Sequence, residues 1–348
     1  MKIIHIFLIF ICISFNTFAI SLGDEGEIYG QQYTQFKRGF NEYLHDTGVD
    51  SNSLGNQTLQ NEYYYFYKAI YAKIGIFDGG FYFEHEDLKN ILRKGTNRKH
   101  YHGTLVAGII AAEAGNNKGY RGIIEPKYIY GLSYLDQGSS WSSINNYIKS
   151  LCGSLNIFNI SLDVENTSYR QSGENYDEIK HIKNIQKWRT LINSPECRNS
   201  MFIIAAGNSN VDAKKDMGSI HYIYENNIIK YKPLDNIIIV GSIKNGIISE
   251  NYGESVDIYA PDFLAGPYKY QNGQSTYTQY QSGTSYAAPQ VTATVAAVLK
   301  SFINMNPKEI KQYILNKTPL VTIQDTNGYN RPILNTYQII DKVYQERH

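Results

Sequence analysis

Cysteine is scarce in this chain. There are three, and none forms a Cys-x-x-Cys pair, so thiol redox chemistry and a cysteine-rich metal site have no support. An excess of one charge is also missing: 33 basic against 32 acidic side chains leave a formal net charge of +1. Without a basic block there is no footprint for a polyanion, and no nucleic-acid partner is expected. Long apolar runs are absent beyond the N-terminus, as are internal repeats, low-complexity tracts and an interdomain linker. The 31 tyrosines are an unusual tilt from which no function follows.

The one long apolar run, "IIHIFLIFICISF", follows Lys2 and leads into "NTFAIS", where Thr17 and Ala19 stand two apart. That pattern reads as a secretory signal peptide cut near Ala19. The run is short for a bilayer span; an uncleaved anchor is the alternative. Cys12 sits inside the run without the small residues that precede a lipidated cysteine. Cys152 and Cys197 then remain; export permits a disulfide between them, and two buried free thiols read equally well. The expected organisation is a signal peptide over 1–19, an N-terminal extension or short pro-segment over 20–65, one large domain over 66–341 and a tail over 342–348. The mature chain is expected outside the cytoplasm, as a monomer, with no stable membrane segment.

From residue 71 the texture changes. "YAKIGIF" is a short apolar run ending at Asp78 and two glycines, as a buried parallel strand opening into a loop would. "HGTLVAGIIAAEA" (102–114) predicts a helix, "KYIYGLSYL" a strand, and "SSWSSINNYIKSL" a helix with serines near its start. "SLNIFNISLD", "MFIIAAGNS" and "NIIIVGSI" predict further strands. "ENYDEIKHIKNIQKWRTLI", "TSYAAPQVTATVAAVLKSFI" and "NPKEIKQYIL" predict helices. Strands alternating with helices imply an α/β three-layer sandwich, a mainly parallel central sheet flanked by helices. Such sheets carry their chemistry beyond the carboxyl ends of the strands.

Three polar residues fall at those ends. Asp78 closes "IGIFD", His102 opens a helix, and Ser285 lies at the start of another in "SGTSYAAP". An acid, an imidazole and a hydroxyl are the parts of nucleophilic acyl transfer: the weak hydroxyl needs a base, and the base needs an acid to fix its tautomer. Asn208, after the strand "IIAAG", has an amide able to donate to an oxyanion. Each also has an ordinary reading: a loop acid, a helix cap or surface imidazole, a capping serine and a turn residue.

As an ordered set these segments resemble the subtilisin-like serine proteases, the subtilase family. "IGIFDGGFYFEHEDL" resembles its catalytic-acid segment, "HGTLVAGIIAA" the histidine segment, "FNISLD" the cleft strand, "AAGNS" the oxyanion segment and "SGTSYAAPQVTATVAAVL" the serine segment with its helix. The resemblance spans about residues 70–341. It implies a secreted serine endopeptidase acting on protein or peptide substrates through Asp78, His102 and Ser285, with Asn208 as oxyanion donor. The chain order Asp, His, Ser is the family's, and no G-x-S-x-G elbow surrounds Ser285. A subtilase fold used only for binding or regulation is the alternative. Ser161, Leu162, Asp163, Ala206 and Gly207 become expected substrate-binding residues. Asp163 stands where the family commonly has glycine, and a carboxylate there suits a basic substrate side chain or simply narrows the cleft. Asp87 in "HEDL", with Asn117 in the following loop, matches a family calcium position, so a structural Ca²⁺ is an expectation. Departures are Gly79 after the acid, Leu105 for a second histidine, and Tyr286 for a methionine after the serine.

A second acid, Asp46 in "HDTGVD", matches the family's favoured triplet better than "DGG" does. It lacks a buried strand before it and the "HEDL" continuation after it. Asp46→Asn is therefore expected to keep activity while Asp78→Asn loses most of it; peptidase assays of the two variants check this, and the reverse result overturns the site assignment.

Overall fold

The computed structural model describes residues 68–113, 118–119, 122–133, 141–163, 167–262, 264–317 and 321–347. The expected signal peptide, Asp46, Asn117 and the whole segment before the first strand lie outside them. Strands β1 (Lys68–Ile70), β2 (Ile74–Phe77) and β3 (Leu92–Gly95) lead to helix α1 (Tyr101–Ala111). Then come β4 (Glu125–Pro126), β5 (Ile129–Leu132), α2 (Trp141–Cys152), β6 (Ile157–Ile160), the short α3 (Tyr169–Ser172) and α4 (Glu178–Ile192). Next are β7 (Met201–Ala205), β8 (Tyr222–Glu225), β9 (Ile228–Tyr231), β10 (Ile237–Lys244), β11 (Ile247–Ile248) and β12 (Ile258–Pro261). The chain continues through β13 (Leu264–Gln271), β14 (Gln274–Gln281), α5 (Thr284–Ser301), α6 (Pro307–Gln312), β15 (Thr322–Gln324), β16 (Asn330–Pro332) and α7 (Thr336–Arg347).

The main sheet runs β11-β10-β7-β6-β2-β5-β3, with β12 also on β10. Its pairs are parallel except β10 with β11. Side chains alternate across it. Ile74, Ile76, Met201, Ile203 and Ala205 join one core with α1, α5 and α7. Phe77, Phe158, Phe202, Ile204 and Ala206 join the other with α2 and α4. Both faces are thus covered, which is why these strands read as continuous apolar runs. Burying each such Ile, Leu or Phe contributes ~1.5–3 kcal/mol. Alanines 287, 288, 293, 296 and 297 of α5 are all buried; their size lets a central helix lie close to the sheet. The expected three-layer α/β sandwich is the observed architecture.

Two boundaries differ from expectation. The helix predicted from residue 174 starts at Glu178, because Asp177 caps it by accepting the Lys180 N–H at 2.9 Å; Gly173, at φ +55°, ends the separate α3 before it. The helix predicted to residue 114 stops at Ala111. The hairpins β8–β9 and β13–β14 were not anticipated. Their turns carry Asn226-Asn227 at φ +52° and +60°, and Asn272-Gly273 at φ +51° and +79°. Those are positive-φ pairs favoured in tight hairpin turns.

Cys152, at the end of α2, is bonded to Cys197 in the loop before β7, closing a separation of 45 residues. A loop of that size removes enough unfolded-state entropy that the Cys152→Ser/Cys197→Ser double variant is expected to lose roughly 2–4 kcal/mol. Urea unfolding of the oxidised protein and the variant measures it; coincident curves remove the contribution.

Candidate active site

Asp78 follows β2 directly, and its backbone N–H continues the ladder to the Leu132 carbonyl at 3.2 Å. The carboxylate is buried, and Oδ1 accepts the Gly79 N–H at 2.7 Å. Gly79 thus supplies a main-chain donor to the carboxylate. The first turn of α1 comes very close. A Cβ on Gly103 would lie 2.3 Å from the Gly80 carbonyl oxygen and 2.9 Å from Asp78 Cβ, so only glycine admits this approach. Thr104 ties the two segments together, its Oγ1 accepting the Tyr82 N–H at 2.9 Å and donating to the His100 carbonyl at 2.8 Å.

His102 is held across this contact, Nδ1 lying 2.8 Å from Asp78 Oδ2 and 3.0 Å from Oδ1. A carboxylate can only accept, so Nδ1 carries the proton and Nε2 keeps a free lone pair. Burial pulls this imidazole's pKa down. The Asp78 charge and hydrogen bond outweigh burial and a small opposing effect of Arg170, and the net pKa lies above 6.5. Tyr286 packs beside it, ring centroids 5.4 Å apart. Burial, then the neighbouring Tyr101 and Asp78, push that phenol's pKa well up, so it stays neutral. Tyr286 thus forms a wall for the imidazole.

Ser285 is the second residue of α5 and is buried. Its Oγ donates to the Ser161 carbonyl at 3.0 Å. Asn208 Oδ1 accepts the Thr284 N–H at 2.8 Å and the Thr284 hydroxyl at 2.9 Å. A main-chain N–H can only donate, so this contact fixes the amide's orientation and turns Nδ2 away from Thr284. Gly283, at φ +130°, has Asn208 only 3.1 Å from where a Cβ would stand. Asp78, His102, Asn208 and Ser285 thus lie at β2, α1, the end of β7 and the start of α5, elements packed on one another.

A small cavity opens at Ser285. Leu162, Asp163, Arg170, Ala205, Gly207, Asn208, Asp216, Met217 and Thr284 line it. Of the expected binding residues, Leu162, Asp163 and Gly207 are there. Ser161 is buried and presents its carbonyl to Ser285. Ala206 is fully buried in the core toward α2 and α4, and its neighbour Ala205 lines the cavity instead. Arg170, Asp216 and Met217 gave no signal in sequence; they come from segments whose approach depends on the fold. Asp163 accepts a short hydrogen bond from the Ser168 hydroxyl.

Asp87 is buried, its main-chain oxygen accepts the Glu113 N–H at 2.8 Å, and the neighbouring Tyr277 hydroxyl donates to Glu86 Oε1 at 2.8 Å. The Lys118 ammonium, 2.7 Å from Glu86, adds positive charge nearby. Among the described residues no group of three or more His, Cys, Asp or Glu side chains is placed to hold a metal ion.

The chain belongs to the subtilase family, whose profile matches residues 44–338. The match begins ahead of the expected domain start at 66 and takes in Asp46, but it is Asp78 that meets His102. Subtilisin-like protease 2 of Arthroderma otae is 28% identical over 251 residues, covering 68% of this chain and 50% of its own length. The nisin leader peptide-processing serine protease NisP of Lactococcus lactis subsp. lactis is 23% identical over 320 residues, covering 77% and 45%. The chain therefore spans about half the length of these curated relatives. A crystal structure of a lanthipeptide protease shares the fold, with a TM-score of 0.57 at 19% identity over 82% of this chain and 93% of that one.

The raised His102 pKa has a sign that can be checked. Its charged form is favoured in the fold, so this pair's stabilisation is present at low pH and fades as pH rises through the folded pKa. An NMR titration is expected to give a His102 midpoint above 6.5, moving down in Asp78→Asn.

Proposed function

We propose that this protein is a serine endopeptidase using Asp78, His102 and Ser285. The observation that carries the reading is the buried Asp78 carboxylate gripping His102 Nδ1 at 2.8 Å. It leaves Nε2 as the base, on an element packed against the helix that begins beside Ser285. For attack, the Ser285 hydroxyl exchanges the Ser161 carbonyl for His102 Nε2. His102 takes the proton as Oγ adds to the peptide carbonyl, and Asp78 stabilises the imidazolium. The Asn208 amide and the Ser285 N–H, at the unsatisfied N-terminus of α5, receive the oxyanion. His102 then protonates the leaving amine, and water releases the acyl group by the same route.

The signal-like N-terminus and the Cys152–Cys197 bond support action outside the cytoplasm. Among the described residues no helix is long and apolar enough to cross a membrane. The binding-only alternative is disfavoured because a binding module needs neither the oriented imidazole nor the oriented amide. No step is assigned to calcium.

A fluorophosphonate probe is expected to label the wild type at Ser285 and to leave Ser285→Ala unlabelled. Asn208→Ala is expected to lose ~10²–10³ in kcat, a size measured on a subtilisin. Folded, processed protein that takes no label would instead support the binding-only alternative.

A further inference from the structure

The cavity at Ser285 is bounded by two carboxylates, and one of them, Asp216, forms no ion pair among the described residues. Asp216 is 1% exposed. Its Oδ1 accepts the Arg170 main-chain N–H at 3.1 Å, and its Oδ2 accepts Asn251 Nδ2 at 2.6 Å. Both donors are neutral: they occupy the oxygens without cancelling the charge. Two nearby lysines are engaged elsewhere. Lys214 pairs with Glu178 at 2.9 Å, and Lys215 lies over the Tyr169 ring. His181 faces the Asp216 main-chain oxygen at 3.0 Å, and burial lowers its pKa so that it stays neutral at pH 7. Asp216 is thus a buried carboxylate held by neutral donors only, a position that favours the arrival of a cation.

Gly207 makes that charge reachable. A Cβ there would lie 2.7 Å from Asp216 Oδ2, so the bare glycine lets the carboxylate come up against the cavity wall beside Asn208. Asp163 adds a second carboxylate on the same cavity. Arg170 lines it too, but its side of the wall is exposed while Asp216 is buried. The buried wall is thus acidic, and the exposed wall carries the Arg170 cation.

We propose that this cavity selects a lysine or arginine side chain on the residue just before the cleaved bond, with Asp216 as the principal anchor and Asp163 as the second. The proposal rests on the peptidase reading and deepens it. A cationic side chain entering beside Ser285 neutralises Asp216 and holds the carbonyl carbon that follows it against Oγ, between the nucleophile and Asn208. Arg170 opposes entry by like charge and must turn toward solvent, which makes it a brake on the same preference.

The test compares peptides that differ at that one position, arginine against citrulline, which keeps shape and loses charge. Wild-type kcat/KM is expected to favour arginine by at least ~10-fold, as expected for a desolvated charge contact. The arginine-to-citrulline ratio is expected to fall in Asp216→Asn and in Asp163→Asn, and to rise in Arg170→Ala. If Asp216→Asn does not fold, the wild-type ratio and Asp163→Asn decide. Probe labelling at Ser285 with equal cleavage of both peptides, or with citrulline preferred, overturns this inference and leaves the peptidase reading standing. If no labelling occurs, that reading fails, and calorimetry of the same two peptides on the wild type decides: tighter arginine binding supports the acidic subsite, equal affinity removes it.

Discussion

Everything at the site depends on one close approach, that of the first turn of α1 to the loop leaving β2. Gly103 permits it, Thr104 locks it, and the Asp78–His102 hydrogen bond at 2.8 Å is its product. β2 can deliver Asp78 there because it sits inside the parallel sheet, between β5 and β6. With neighbours on both sides the strand cannot slip register without losing its core contacts. The small residues of α5 do the same for Ser285 from the other direction. The rigid parts of the fold thus set the geometry, and the loops only carry the polar groups.

Two histidine–aspartate pairs show how environment divides the same chemistry. His221 Nε2 lies 3.2 Å from Asp257 Oδ2, and Lys311 lies 2.9 Å from the other oxygen. Burial dominates at His221 and lowers its pKa despite the carboxylate, with Lys311 adding to the effect. At Asp78–His102 there is no such cation against the carboxylate among the described residues, and the pKa of the imidazole rises. One pair is a closed structural unit; the other keeps a basic nitrogen available.

The oxyanion corner shows a similar economy. Thr284 satisfies Asn208 Oδ1 with two donors, so the amide cannot flip without losing both. Its Nδ2 is thereby pre-oriented at no cost when charge develops. The same short region places Gly207 against Asp216, so the amide that would stabilise the reaction and the glycine that admits the selecting carboxylate are consecutive residues.

Residue types at strand ends determined much of this. Asp78, His102, Asn208 and Ser285 each follow a buried apolar strand or open a helix, but singly each also read as an ordinary loop or capping residue; the ordered resemblance to the subtilases is what set them together. The turn pairs Asn226-Asn227 and Asn272-Gly273 were legible too, though the hairpins were overlooked. Tertiary structure alone decided the rest. Ala205 rather than Ala206 lines the cavity because a one-residue step along a strand changes faces. Asp216, Arg170 and Met217 reach it only because α3 and the loop after β7 fold onto the end of the sheet. The pairing of Cys152 with Cys197 likewise needed the end of α2 and the loop before β7 to meet. Local sequence fixes which group a strand presents; only packing fixes what that group faces.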